Sequence, residues 1–185
     1  MVYAGFWRRF GAYWLDYLFI VLPLMILTVA ICDLSRAAYL IWAILTSFIG
    51  LWYHVYLVVR YGATPGKLVL NMRLAMVDGA SITLKAALIR YSVLFVLGLL
   101  STVGITLAIS GLSDEMYFSV RWMARQQMFL DNAPHWFKSI QVATQVWVWS
   151  EFISMLFNKK RRALHDFMAG TVVIRTEKPV ASESV

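Results

Sequence analysis

Apolar residues concentrate in four stretches of this chain, about 10–31, 37–59, 91–109 and 140–157, separated by polar or turn-forming segments. A helix rising 1.5 Å per residue needs about 20 residues to cross a hydrocarbon core of ~30 Å, and each stretch is close to that length. The first three are almost uninterrupted. The fourth carries Gln141, Thr144, Gln145, Ser150, Glu151 and Ser154, so neighbouring helices must shelter its polar side. The pattern predicts an all-α integral membrane protein with about four transmembrane helices.

The connections carry structure of their own. Residues 61–66 (YGATPG) are rich in turn formers. Residues 71–77, then Asp78-Gly79, then 81–83 read as strand, tight turn and strand, a small β-hairpin. Thr83 can cap a helix running through Lys85 and Arg90 into the third span. In the third loop, Ser113, Asp114 and Glu115 look like a helix start and Asn132 to Pro134 like its end. Between them aromatics and methionines mix with Arg121 and Arg125, which predicts one interfacial helix lying on the membrane surface. Residues 1–176 thus form one membrane domain, and the polar stretch 177–185 is expected to be a disordered tail.

Composition agrees with a bilayer as solvent. The chain is 61% hydrophobic and 15% charged over 185 residues, well above the roughly 45–50% apolar content of soluble domains. That length leaves no room for a separate soluble enzyme domain, and no enzymatic activity is expected. The net charge is +7, and its placement is informative. In a four-span arrangement the N-terminus, second loop and C-terminus share a side that holds 13 Lys and Arg, against 4 on the other. The positive-inside rule then puts both termini and the hairpin in the cytoplasm, with the protein in the inner membrane. The run Lys159 to Arg162 reads as an orientation signal that meets anionic lipid, and no nucleic-acid partner is expected.

Several chemistries find no support in the sequence. Cys32 is the single cysteine, so neither a disulfide framework nor a cysteine metal cluster can form. Ile31 before it argues against a lipoprotein signal, and Asp16 inside a long apolar run argues against a cleavable one, so the first segment is expected to stay. His135 and His165 lack companions at metal-ligand spacing, and no nucleophile elbow occurs. Gly62 to Lys67 has too short a glycine spacing for a phosphate loop, and Leu68 stands where Ser or Thr is needed. No metal or cofactor is expected. The eight tryptophans suit interfacial belts and packing.

Three ionisable residues fall at one depth. Asp16 is six residues into the first span, or roughly 9 Å, and His54 lies equally far from Arg60 at the end of the second. Glu151 is seven residues before Asn158, or roughly 10 Å deep in the fourth. Such groups cost a few kcal/mol each in lipid, so they should face one another or a wet cavity. A carboxylate beside histidine can exchange protons near neutral pH, and Asp16 with Glu151 could hold a cation if Thr144, Gln145 or Ser150 added oxygens. The same layer is more readily a structural network that pairs polar groups to hold helices together. Arg9 is either an interfacial anchor or half of a specific pair.

Three motifs together resemble the RDD family of bacterial multi-pass membrane proteins, named for one arginine and two aspartates. They are GFWRRFGAYWLDYLFI at Gly5 to Ile20, YGATPGKLVLNMRLAMVDGASITLKAALIR at Tyr61 to Arg90, and KKRRALHDFMAGTVVI at Lys159 to Ile174. The family's named residues carry over as Arg9, Asp16 and Asp166. The loop from Ser110 to Ser139 is longer than the simplest family pattern. The resemblance implies a transport-related role, with sodium/proton exchange in one branch. Two readings follow: a small cation/proton exchanger working through Asp16, His54 and Glu151, or a non-catalytic scaffold or assembly partner whose polar residues are structural. Four short spans are few for a transporter, which favours either a homo-oligomer or the scaffold reading, with a membrane-protein partner. Arg9 and Asp166 are expected to meet at the cytoplasmic surface and pin the C-terminal segment to the first span.

Overall fold

A computed structural model describes residues 2–176; the tail expected at 177–185 lies outside the described residues. Helix α1 (Phe6–Leu34) is apolar along most of its length and stops where Ser35 turns the chain into an extended conformation. The Ser35 hydroxyl accepts from the Ala38 N–H and so caps α2, residues 36–61. That helix ends at Gly62, whose φ of 76° is the left-handed conformation that suits glycine after a helix. A short helix α3 (Pro65–Val69) follows, then strand β1 (Met72–Met76), the long α4 (Leu84–Ser110) capped by Thr83, α5 (Asp114–Phe118) and α6 (Trp122–Asn132). Pro134 starts α7 (His135–Leu156), and α8 (Leu164–Ala169) and β2 (Thr171–Arg175) end the described chain.

Helices α1, α2 and α4 are long and apolar enough to cross a membrane. The fourth expected span falls on helix α7, whose 22 residues are long enough, but its polar side chains keep it out of that set. All four helices run longer than the apolar stretches alone, because flanking residues outside those stretches continue each helix.

Two expectations are corrected. The turn at Asp78-Gly79 is present, with the Asp78 carboxylate accepting from the Ala80 N–H, but residues 81–83 do not continue as a strand beyond a single bridge from Ser81 to Ala75. Thr83 is committed to capping α4, which leaves too few residues for a second strand. The partner of β1 is instead β2, antiparallel, with Met72 opposite Arg175 and Met76 opposite Thr171. The interfacial helix is also not one helix. It breaks at Ser119 to Arg121, and Arg125 turns its guanidinium back onto the Val120 carbonyl across that break.

Two buried cores follow from this path. One, at the end holding the N-terminus and here called proximal, joins Ala12 of α1, Val55 and Val58 of α2, Leu74 of β1, Ala86 of α4 and Val173 of β2. The other, distal, joins Cys32, Tyr39 and Ile109 to Tyr117 and Phe129 of the third loop. The loop helices α5 and α6 therefore pack on the bundle rather than only lying on a surface.

Candidate functional site

Asp16 ends the regular first segment of α1, and the next turn, Tyr17–Val21, is π-helical. A second π-helical turn, Trp52–Tyr56, lies in α2 and carries Tyr53 and His54. Such turns insert a residue, shift side chains off the regular ladder and recur at functional sites. Here the Tyr53 hydroxyl donates to Asp16 Oδ1. The Gly66 N–H donates to the same oxygen at 2.6 Å, and the Thr64 hydroxyl donates to Oδ2 at 2.7 Å. Lys67 Nζ stands 3.8 Å from Oδ2. The turn-rich segment that fails as a phosphate loop thus cradles an anion supplied by its own chain. Gly66 is dictated by that approach: a Cβ there would sit 2.4 Å from the Ala12 carbonyl oxygen and 2.6 Å from Asp16 Oδ1.

Asp166, in the first turn of α8, gathers a second cluster. Arg9 Nη1 donates to its Oδ2 at 2.9 Å, and the Ala163 N–H donates to the same oxygen at 3.0 Å. Its Oδ1 accepts from Arg90 and from the Thr171 hydroxyl. The carboxylate is fully buried and Arg9 is 6% exposed. Burial alone would push the Asp166 carboxyl up, but the charges of Arg90 and Arg9 and the Ala163 N–H hold it well below the usual carboxylate range. Arg9 is thus half of a specific pair and not a lipid-facing anchor. Its Nε and Nη2 are buried with no partner among the described residues.

His165 links this cluster to Glu151. Arg90 Nη2 lies 2.8 Å from His165 Nε2, and an arginine can only donate, so Nε2 accepts and Nδ1 carries the proton. That proton points to Glu151 Oε1 at 2.5 Å. His54 makes neither kind of contact; its ring stacks on Tyr91 with centroids 4.7 Å apart.

Asp16, His54 and Glu151 line one cavity of about 330 Å³, together with Arg9, Lys67, Arg90 and His165. The first three share its wall, and among the described residues no hydrogen bond or ion pair joins any two of them. The extra oxygens expected for a cation do not join them. The Thr144 and Ser150 hydroxyls donate to carbonyls of their own helix, of Ile140 and Trp147, and Gln145 faces away along an outer groove. Of the basic run, Arg162 turns inward to the carbonyls of Asp166 and Thr171, while Lys159, Lys160 and Arg161 are exposed.

A family model for the RDD family matches residues 3–170. The chain belongs to the RDD family. No curated protein and no solved structure matches it. With three helices apolar and long enough to cross a bilayer, this RDD protein is a membrane protein.

Sequence reasoning missed Tyr53, Thr64, Lys67, Arg90 and His165 as site residues of this RDD protein. All but Tyr53 stand inside the quoted motifs, Thr64 and Lys67 in YGATPGK, Arg90 at the end of the second motif and His165 beside Asp166. Their nearness in space is invisible to spacing. Arg90 and Asp166 are 76 positions apart, and Arg9 and Asp166 are 157 apart.

Proposed function

We propose that this RDD protein is a transport-related protein of the bacterial inner membrane, exchanging a monovalent cation for protons through the cavity between α1, α2, α4 and α7. Both termini lie in the cytoplasm in this reading, α7 crosses as the fourth span, and the exposed Lys159, Lys160 and Arg161 meet anionic lipid. No covalent chemistry is required, so the protein is not an enzyme. The supporting observation is that Asp16, His54 and Glu151, from three helices, line a single cavity. Burying ionisable groups in a membrane is costly unless they serve a path or a network.

The Glu151 and His165 pair is the proton-accepting element. Arg90 keeps Nε2 of the imidazole as an acceptor and Nδ1–H donates to Oε1, so a proton that the pair takes up goes onto the Glu151 carboxylate. Asp16 is the cation-side carboxylate, and Lys67 is its displaceable partner. The free donors of Arg9 suit water in the cavity.

A second reading, the scaffold, is favoured by a different observation. Asp16, Glu151 and Asp166 are each already answered by partners within the chain, and Arg9, Lys67 and Arg90 leave no surplus negative charge to attract a cation. Proton flux in proteoliposomes under sodium, potassium or lithium gradients separates the two. Flux that disappears in Asp16→Asn and Glu151→Gln, with both variants inserted and folded, supports exchange. Absence of flux from the parent protein, with a membrane partner recovered by mild crosslinking, supports the scaffold.

A further inference from the structure

Helix α7 is long enough for a bilayer but too polar by composition, and its polar groups can be accounted for one at a time. Thr144, Ser150 and Ser154 donate to carbonyls three or four residues back in the same helix. Glu151 faces inward to His165. The Trp147 indole N–H is buried without a partner among the described residues, and Gln141 and Gln145 remain on the outside. Both are exposed, one turn apart on one face, and neither amide has a hydrogen-bond partner among the described residues.

The same face is otherwise apolar and unpaired. Val142, Val146, Trp149 and Ile153 are each more than half exposed and flank a shallow groove that runs past both glutamines. Their spacing of four, three and four residues is the seam repeat of packed helix pairs. Hydrocarbon can cover the apolar members but offers nothing to a primary amide: Gln145 lies five residues inside the span, or roughly 7.5 Å deep, where an unsatisfied amide is strongly disfavoured, and Gln141 stands one turn above it at the edge.

We propose that α7 packs against α7 of a second copy of this chain about a two-fold axis, with Gln141 and Gln145 hydrogen bonding across it. A glutamine amide holds both a donor and an acceptor, so it complements its own copy across a two-fold axis. An anionic or cationic partner would not satisfy both halves. The β-branched Val142 and Val146 pack within the seam, and Trp149 and Ile153 fill it toward the proximal end. The two-fold axis runs along the membrane normal, since both copies share one topology. The inference rests on α7 crossing the bilayer, as in the four-span reading, and is independent of what the cavity carries.

The test uses the full chain in native membranes, with single cysteines introduced by Val142→Cys, Val146→Cys, Trp149→Cys and Ile153→Cys and oxidised by copper-phenanthroline. The buried Cys32 stays, the parent chain serving as the blank. Disulfide-linked dimer at these positions, and none at Phe48→Cys or Val96→Cys on the exposed faces of α2 and α4, is the expected result. Adding Gln141→Leu and Gln145→Leu to Val146→Cys should lower the dimer fraction about tenfold, because leucine needs no partner in lipid. Dimer that forms equally at the control positions, that survives the leucine pair unchanged, or that is replaced by an adduct with another protein overturns the proposal. A membrane-impermeant maleimide on Ser139→Cys and Phe157→Cys separates the two ways of failing. Labelling from one side removes the four-span reading and the dimer with it, whereas labelling from opposite sides without α7 crosslinks overturns the dimer alone.

Discussion

Two buried arginines hold the two ends of the bundle, and they are neutralised in different ways. At the proximal end Arg9 meets Asp166, whose carboxylate has no solvent exposure and also takes Arg90. At the distal end Arg125, 4% exposed, also reaches a carboxylate at 2.7 Å, but that one, Asp33, is 58% exposed. The buried partners of Arg125 are neutral: the carbonyls of Cys32 and Val120 at 3.2 and 3.0 Å, and the ring of Tyr117 at 4.6 Å. The proximal charges can therefore be balanced only from within the protein, and the distal one is shared with solvent. The motif residues of the family fall at the end where compensation is internal.

The largest consequence should follow from removing the shared carboxylate. Asp166→Ala strands two buried guanidinium groups and is expected to cost about 3–5 kcal/mol, the usual range for breaking one side of a buried pair. Thermal unfolding of the purified protein in detergent measures it, and a loss under about 1 kcal/mol would put the proximal cluster in the same class as a surface pair. Its pH dependence has a definite sign. Because the folded carboxyl is held low, its stabilisation is fully present above the unfolded value of about 4 and is lost only as pH falls below that through the folded value. The stability gap between parent and Asp166→Asn should accordingly stay flat from about pH 5 to 8 and narrow only in stronger acid. A gap that closes near neutral pH would mean that a histidine, not Asp166, controls the cluster.

Next in size is the Asp16 cradle, which tests whether the proximal end is as tightly built away from its arginines. Gly66→Ala forces a Cβ against the Ala12 carbonyl, a backbone atom that cannot swing aside, and should cost about 1–3 kcal/mol as overpacking does. Lys67→Met serves as the counterpart, since it removes a charge 3.8 Å from Asp16 without any steric change to the loop. If the alanine variant is as stable as the parent, the close approach of α3 to α1 does not constrain the fold.

These two tests fall on residues of unequal legibility. The long apolar runs of α1, α2 and α4 were readable because lipid demands an uninterrupted stretch, and the depth of Asp16, His54 and Glu151 followed from helical rise alone. The expected meeting of Arg9 and Asp166 came from their common end of the topology, and the structure brings them to 2.9 Å. What could not be read were the partners. A local pattern at 71–83 pointed to a hairpin, yet β1 pairs with residues about 100 positions later, because β2 brings three buried residues, Thr171, Val172 and Val173, to the sheet. Arg90 reads only as part of the helix leading into the third span and Arg125 as part of the interfacial helix, since sequence gives no sign of whether an arginine turns inward. His165 was weighed only as a metal ligand, and its actual contacts, Arg90 and Glu151, come from two other helices.

The smallest effect should come from the distal carboxylate. Asp33→Asn keeps the side-chain shape and removes a charge that is more than half exposed, so solvent and salt already screen much of its attraction for Arg125. Arg125 retains the Cys32 and Val120 carbonyls and the Tyr117 ring, none of which depends on Asp33. The expected change in unfolding free energy is within about 1 kcal/mol and should shrink further in molar salt, where the Debye length falls to about 3 Å. Arg125→Met is the sharper variant beside it, because it removes the contacts to both carbonyls and the cation over the ring at once, and should exceed Asp33→Asn severalfold. If instead the two variants cost the same, the distal arginine is held mainly by its carboxylate. The two ends would then differ only in where the anion sits, and the neutral partners of Arg125 would contribute little.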